Sequence, residues 1–261
     1  MTALSTVPSL AVRARDVLLS EWTKVRSVRS TCWILLVAAV AAVGGSALVA
    51  TTTAHSGHSP FDPLASVFVA WLEYPVLAVG ILGVLAFTSE YSTGQIRTTF
   101  TAVPQRRAVL AAKATTVGLL TLCFGELLAF ASFFLSQAIL SGHHRGLSLA
   151  QPRVAGAVLA AGFSLFAIAM VGVGLGAIIR HTAGAVAALP AVIYLPLVAL
   201  SLPSPWNERI ARFTLLGAAS QVVSLHSRAG LLSPGRSMLI LAVWPAAALF
   251  LAAIVITRRD T

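Results

Sequence analysis

Six stretches with almost no charge, each long enough to cross a lipid bilayer, constrain this chain more than any other feature of its sequence. Four contain no Asp, Glu, Lys or Arg, and the other two are interrupted only by Glu73 and Glu126. Each exceeds the roughly 20 residues that cross about 30 Å of hydrocarbon as a helix. The stretches are Ser30–His55, Pro63–Thr88, Ala114–His143, Val154–Ile179, Thr182–Trp206 and Ser237–Thr257.

These stretches predict an all-α membrane protein with six transmembrane helices, because only helices and closed barrels satisfy their backbone polar groups in lipid. The composition agrees: 10% of residues are charged and 57% are hydrophobic, whereas soluble domains carry about 25% charged residues. No internal repeat is evident, so we expect one transmembrane domain over residues 1–261. Its spans are predicted at about 31–54, 64–88, 114–140, 154–179, 183–202 and 237–257.

The net charge of +10 is explained by orientation in the membrane, and we expect no nucleic-acid partner. Lys and Arg concentrate in loops that stay in the cytoplasm. With the N-terminus inside, twelve of the 18 Lys and Arg residues lie in inner segments, and the first outer loop, Thr51–Asp62, has none. Both termini are therefore predicted to be cytoplasmic.

An amphipathic helix is predicted before the first span, over Val12–Val28. Leu18, Trp22 and Val25 fall on one helical face by their spacing of three and four, between basic ends. An apolar strip with a tryptophan and basic flanks is typical of a helix that lies flat on the inner leaflet. The alternative is a disordered basic tail, which would not require these three residues to align.

Later segments predict irregular helices and close packing. Pro190 and Pro196 in the fifth span and Pro245 in the sixth indicate kinks or local unwinding. Gly172 and Gly176 have the spacing that lets helices approach closely, and we expect this packing to occur within the chain. Before the last span, residues 210–225 are apolar but too short and too closely flanked by arginines to cross, which favours a re-entrant or interfacial segment on the outer side. Cys32 and Cys123 both fall at or within spans, so no disulfide is expected.

The sequence offers little for catalysis. The phosphate-binding pattern Gly-x-x-x-x-Gly-Lys-Ser/Thr and the zinc pattern His-Glu-x-x-His are both absent. His55, His58, His143 and His144 could meet at the outer face, but no Cys or carboxylate spacing completes a metal site there. A membrane-embedded enzyme also lacks a convincing nucleophile and base. We therefore expect neither an enzyme nor a metal or cofactor bound by this chain.

The two intramembrane carboxylates, Glu73 and Glu126, are predicted to lie near mid-bilayer. A charge there costs on the order of 2.5–3.5 kcal/mol, and such groups usually face the bundle interior or a water-filled cavity. Glu126 shares a helical face with Thr115 and Gln137, eleven residues away on each side. Three roles stay open: hydrogen bonding to Ser, Thr or Gln in the bundle, a substrate path that takes a cationic amphiphile and includes Gln137, or a proton relay.

A short polar and basic island between the second and third spans is the most informative loop. We expect Ser89 or Ser92 to cap a short helix, with Glu90 in its first turn. Gly94 would allow close approach, and Arg97 with Thr98 and Thr99 would point outward. Lys113 and the arginines before it would mark re-entry at the inner headgroups.

This island resembles the cytoplasmic loop of type-2 ABC transporter permeases. The resemblance rests on Glu90-Tyr91-x-x-Gly94-x-Ile96-Arg97-Thr98-Thr99, followed by Val103-Pro104-x-Arg106-Arg107 and Ala111-Ala112-Lys113. The opening Ser20-Glu21-Trp22-Thr23-Lys24-x-Arg26-Ser27-x-Arg29-Ser30-Thr31 is similar to the same family. Motif detail covers about residues 18–114, and the layout of spans extends over the whole chain.

The resemblance implies a multi-pass subunit of the bacterial plasma membrane that exports a hydrophobic or amphiphilic substrate, such as a drug or lipid. It would pair with a second permease copy, identical or not, and dock a cytoplasmic ATPase that holds ATP and Mg. Glu90, Tyr91, Gly94, Arg97 and Thr98 would form the coupling helix, with Glu90 and Arg97 bracing it through ion pairs. The alternatives are a proton-coupled secondary transporter that uses Glu73 and Glu126, or a structural anchor.

Overall fold

The computed structural model describes residues 10–55, 74–103, 105–142, 146–204, 206–225 and 232–258, together with Leu64, Phe68 and Trp71. The described residues form helices and short connections, and no strand occurs among them. One 3₁₀-helix, Leu195–Ser201, lies among them. The α-helices in chain order are α1 (Leu10–Ser27), α2 (Arg29–His55), α3 (Tyr74–Ser92), α4 (Gln95–Ala102), α5 (Arg106–Ser141), α6 (Val154–Ile179), α7 (Thr182–Tyr194), α8 (Trp206–Ala211), α9 (Leu215–Val223) and α10 (Pro234–Arg258).

Five of these helices, α2, α3, α5, α6 and α10, are long and apolar enough to cross a membrane. Large apolar side chains on their outer faces stay well exposed: Trp33 at 66%, Leu127 at 71% and Phe250 at 67%. A soluble protein rarely leaves so much contiguous apolar surface uncovered. The exposed faces are explained if lipid covers them, so the chain is an all-α, multi-pass membrane protein.

The fifth predicted span, 183–202, is not one continuous α-helix. It consists of α7, 13 residues long, and the seven-residue 3₁₀-helix that begins at Leu195. The change of helix type comes immediately before Pro196, where the missing N–H removes a helical hydrogen bond. The unwinding predicted at this proline is therefore found, whereas Pro190 and Pro245 lie inside helices that continue past them.

Helix α6 is the centre of the bundle. Of its most apolar window, 72% is buried inside the chain, against 17% for α2, which lies at the periphery. It packs against α3, α5 and α10. A Cβ added at Gly176 would lie 2.7 Å from the carbonyl oxygen of Val84, and one at Gly172 would collide with the carbonyl of Gly80. The two glycines therefore permit close packing of α6 on α3 within the chain, as the sequence predicts.

The segment before the last span forms two short helices. Helix α8 has six residues and α9 has nine, so neither can cross a bilayer at 1.5 Å per residue. Helix α9 packs against α10 and α6. Its Gln221 side chain accepts a hydrogen bond from the Ser237 hydroxyl at 3.2 Å, which fixes α9 to the start of α10.

Candidate functional site

The short helix α4 projects between two long apolar helices. Gly94, between α3 and α4, has φ 73°, the left-handed conformation that a residue with a Cβ rarely adopts. No atom lies within 4 Å of a Cβ placed there. Gly94 therefore reverses the backbone into α4 at an open position, and close approach of a partner there stays a prediction.

The predicted capping by Ser89 or Ser92 is also wrong. Helix α3 continues through Ser92, and the two hydroxyls donate backwards to the carbonyl oxygens of Leu85 at 2.6 Å and Ser89 at 2.9 Å. Back-bonding of this kind satisfies a serine inside a helix. Glu90 therefore lies in the last turn of α3 and not in the first turn of α4, whose N-cap is Gly94 without a side-chain bond.

Helix α4 has one anchored face and one exposed face. Ile96 is 4% exposed and packs into the core. Phe100 is half-buried, and the Arg106 guanidinium lies over its ring at 5.5 Å. Arg97 and Thr98 are exposed, as predicted, whereas Thr99 is half-buried and its hydroxyl donates to Glu90 Oε2 at 3.5 Å. The helix therefore offers a polar, basic surface to solvent while its other side stays fixed to the bundle.

Glu90 belongs to a cluster of four charges with Glu21, Lys24 and Lys113, which we call the four-charge cluster. The Lys113 ammonium lies 2.6 Å from Glu90 Oε1 and 2.7 Å from Glu21 Oε2. The Lys24 ammonium lies 2.8 Å from Glu90 Oε1 and 2.8 Å from Glu21 Oε1. Of the two residues predicted to brace α4 through ion pairs, Glu90 forms such pairs with both lysines, whereas Arg97 forms none with any described residue.

The cluster is largely buried and joins three helices. The Lys113 side chain is 2% exposed, Glu90 5% and Glu21 6%, while Lys24 at 42% forms the solvent side. Buried charges are tolerated when they are paired and hydrogen-bonded. Here two carboxylates balance two ammonium groups in charge. The bonds among these four groups tie α1 to the end of α3 and the start of α5. The charge of Lys113 is therefore used inside the protein, and its position at the level of the inner headgroups stays a prediction.

Lys24 is held in its charged form by its partners. Its partial burial acts to lower the pKa of the ammonium group, but hydrogen bonds to Glu21 and Glu90, with their negative charges, outweigh it and raise the pKa above its usual value. Lys24 is therefore positively charged at neutral pH and contributes a fixed cation at the solvent side of the cluster.

Helix α1 places its polar face on the protein and its apolar strip outside. Glu21 is buried, whereas Leu18 is 36% exposed and Trp22 46% exposed. Val25 is half-buried. The predicted helix is present, and its observed ends lie within two residues of the predicted ones. The outward position of Leu18 and Trp22 agrees with a membrane-surface helix.

Tyr91 faces the bundle and not the solvent. Its ring stacks on Phe87 with centroids 6.4 Å apart, and the Arg180 guanidinium lies over it at 5.5 Å. Arg180 ends α6, so Tyr91 connects α3 to the end of the central helix. Of the five residues predicted to couple to a partner, Arg97 and Thr98 are exposed on α4, whereas Glu90 and Tyr91 support it from inside.

The intramembrane polar residues do not come together. Glu126 Oε2 is buried and has no hydrogen-bond partner among the described residues, so a bond from this oxygen to Ser, Thr or Gln, one of the three roles left open, is not found. Its carboxyl group packs against Gly162 of α6. Gln137 lies about 16 Å away along α5, and its Oε1 accepts from the Leu147 backbone N–H at 2.5 Å. Glu73 lies outside the described residues.

No metal-binding group of His, Cys, Asp and Glu occurs in the described part of the chain, where Cys32 and Cys123 are exposed free thiols. Of the four histidines considered at the outer face, the structure describes only His55.

Sequence reasoning missed Glu21, Lys24 and Lys113 as site residues. The available signal was weak: a carboxylate beside Trp22 in an amphipathic helix, and a lysine two turns inside an apolar one. Both lie within the motifs that carry the family resemblance. No protein-family model matches the chain, and no curated protein matches it either. The site is therefore interpreted from its own geometry.

Proposed function

We propose that this chain is the membrane subunit of a type-2 ATP-binding cassette exporter and that α4 docks on a separate cytoplasmic ATPase. One observation carries the proposal: α4 exposes Arg97 and Thr98 while the four-charge cluster, directly behind it, links the helices on both sides of α4 to α1. A purely structural loop would not need this support.

Coupling through α4 depends on how stiffly this helix is connected to the spans. A partner that moves α4 can move the spans only if the connection does not yield. Short charge-assisted bonds in a buried site are among the stronger polar contacts. Since Glu90 lies at the end of α3 and Lys113 near the start of α5, displacement of α4 would be passed to both helices together and, through Glu21, to α1.

The proposed nucleotide, second subunit, substrate and location are those typical of this class of transporter. ATP and Mg would bind to the partner, because this sequence has no phosphate-binding loop. A second permease copy would complete the path, and the substrate would be hydrophobic or amphiphilic. The proposed location is a bacterial plasma membrane, with both termini inside and with the composite α7 segment as the fifth of six spans.

The docking surface is tested by site-specific photo-crosslinking. A photoreactive amino acid at Thr98 should capture a protein that contains the Gly-x-x-x-x-Gly-Lys-Ser/Thr motif in membranes of the source cells. The matched control is Thr52, which is exposed on α2 at the opposite end of the bundle and should capture no such protein. A properly inserted chain whose position 98 captures no such ATPase would contradict the docking role.

A second test separates docking from folding. Arg97→Ala should lower ATPase stimulation in reconstituted vesicles at least tenfold, because an exposed side chain that touches the partner is lost. Arg258→Ala removes an equally exposed arginine from the end of α10 and should have little effect. Equal stimulation by both variants would count against α4 as the contact.

One observation favours the alternative, a proton-coupled transporter. Glu126 is a titratable group inside the membrane with a buried oxygen that lacks a hydrogen-bond partner among the described residues. Such residues often mark proton pathways. This alternative would require transport that depends on Glu126 and proceeds without ATP.

A further inference from the structure

A cavity of about 420 Å³ lies between the end of α1, the start of α2, the end of α3 and the first turns of α5. Its volume falls in the range of small-molecule sites, about 300–1,000 Å³. The four-charge cluster forms one side, and apolar side chains of the spans form the other. The cavity therefore has the polarity of an amphiphile, with a charged end and a hydrocarbon end.

The charged end has unused donors. Lys24 donates two N–H groups, to Glu21 and Glu90, and its third N–H has no acceptor among the described residues. The Ser30 and Thr31 hydroxyls also line the cavity and make no hydrogen bond with any described residue. Three donors at the solvent side of a neutral cluster favour an incoming acceptor with negative charge.

The charges around the mouth of the cavity also favour an anion. The cluster itself balances two carboxylates with two ammonium groups, so it leaves no net charge for a cation to neutralise. Exposed Arg26 and Arg29 flank the lining residues of α1 and α2. An anion at Lys24 would thus enter a locally positive region, and Arg or Lys with hydroxyls is a common set of phosphate ligands.

The apolar end opens toward the region that lipid would occupy. Leu82 and Val117 are buried at its base, whereas Ile34, Leu85 and Ala86 are only half-buried along its side. All five belong to helices long enough to span the bilayer. A hydrocarbon chain placed along them would stay in contact with the surrounding bilayer. A soluble anion has no such chain and would not need this apolar side of the cavity.

We propose that this cavity binds an anionic phospholipid of the adjacent leaflet. Lys24, Ser30 and Thr31 would hold the phosphate, and one acyl chain would lie along Ile34, Leu85 and Ala86. Basic pockets between transmembrane helices are known to select anionic headgroups. The bound lipid would brace the contact between α1 and α2 beside the four-charge cluster. The site does not depend on docking of α4 to a partner.

The test uses the purified full chain, stripped of lipid in detergent, and native mass spectrometry with added phosphatidylglycerol, phosphatidylcholine or glycerol phosphate. Wild type should retain one phosphatidylglycerol, with at least tenfold preference over phosphatidylcholine and no retention of glycerol phosphate. The double variant Ser30→Ala with Thr31→Val leaves the cluster intact and should lower this occupancy at least fivefold. Arg107→Ala, an exposed arginine outside the lining, should not.

A second variant tests the apolar end. Ala86→Trp fills the cavity from its side and should also reduce phosphatidylglycerol retention, while Ala131→Trp on the exposed face of α5 should not. Thermal unfolding of each variant confirms that it is folded. Equal retention of both lipids by all variants would overturn the proposal in favour of a nonselective lipid annulus. Tight binding of glycerol phosphate alone would overturn it in favour of a soluble anion.

Discussion

Lys113 Nζ and Glu90 Oε1 lie 2.6 Å apart, although 23 residues and the whole of α4 separate the two in sequence. The pair closes the loop that carries α4, and the second carboxylate on Lys113, from Glu21, brings α1 to the same point. The exposed helix that we propose as a docking surface is thus supported by a buried charge two turns inside α5.

Lys113→Met should destabilise the protein strongly. Removal of the Lys113 ammonium leaves the negative charges of Glu21 and Glu90 buried with only Lys24 to balance them. Breaking a buried ion pair in this way typically costs about 3–5 kcal/mol. We expect a lower midpoint of thermal unfolding in detergent than for wild type. Adding Glu90→Gln to Lys113→Met should recover part of the loss, because a buried negative charge is also removed. A Lys113→Met protein as stable as wild type would show that the pair contributes little.

The pH dependence of Lys24 can be tested with an arginine variant. The pKa of Lys24 is raised in the folded protein, so its contribution to stability is fully present below the unfolded pKa of about 10.4. The contribution is lost as pH rises through the higher folded pKa. Because Lys24 is substantially exposed, the effect should stay below about 1 kcal/mol.

Lys24→Arg provides the control, since an arginine stays charged at these pH values. The difference in unfolding midpoint between wild type and Lys24→Arg should be constant from about pH 7 to 9. Above about pH 10.5, the midpoint of wild type should fall relative to that of Lys24→Arg. A difference that changes mainly below pH 9 would assign the dependence to another group.

Gly94→Ala should destabilise the turn between α3 and α4. The φ of 73° at Gly94 costs an L-residue about 1–2 kcal/mol, and Asn tolerates the left-handed region better than Ala. The unfolding midpoint should therefore be highest for wild type, lower for Gly94→Asn and lowest for Gly94→Ala. Gly156→Ala is the control: a Cβ there meets no atom within 4 Å, and Ala favours a helix. A loss at position 156 equal to that at position 94 would contradict the conformational explanation.

Hydropathy predicted where the five long apolar helices lie, because the absence of charge over a span is a local property, but it did not predict that the fifth span divides into α7 and a 3₁₀-helix. The partner of Glu90 was not predictable in the same way. Arg97, Arg106, Arg107 and Lys113 all follow it closely in sequence, and the choice among them depends on where α3 ends and how α5 is rotated. Ser89 and Ser92 resembled caps, but their hydroxyls bond within α3. Contacts across helices, such as Glu21 with Lys113, require the tertiary structure.

Glu126→Gln should leave the protein at least as stable as wild type. The buried Oε2 accepts no hydrogen bond from a described residue, and an ionised carboxylate near mid-bilayer, where the sequence predicts Glu126, costs on the order of 2.5–3.5 kcal/mol. Gln keeps the size of the side chain and removes the charge. Gln137→Leu is the contrasting change, because it removes the bond from the Leu147 N–H and should cost about 1 kcal/mol. Thermal unfolding in detergent compares the two.

The same Glu126→Gln variant separates the two candidate functions. If an ATPase drives transport, vesicles that contain the variant and the partner should still move substrate when ATP is supplied, since no step requires a proton on Glu126. If a proton gradient drives transport, uptake without ATP should occur in wild type and disappear in Glu126→Gln, although the variant stays folded. Uptake without ATP by wild type that disappears in the folded Glu126→Gln variant would therefore reject the ATP-driven proposal and favour proton coupling, because a neutral amide cannot bind and release the proton.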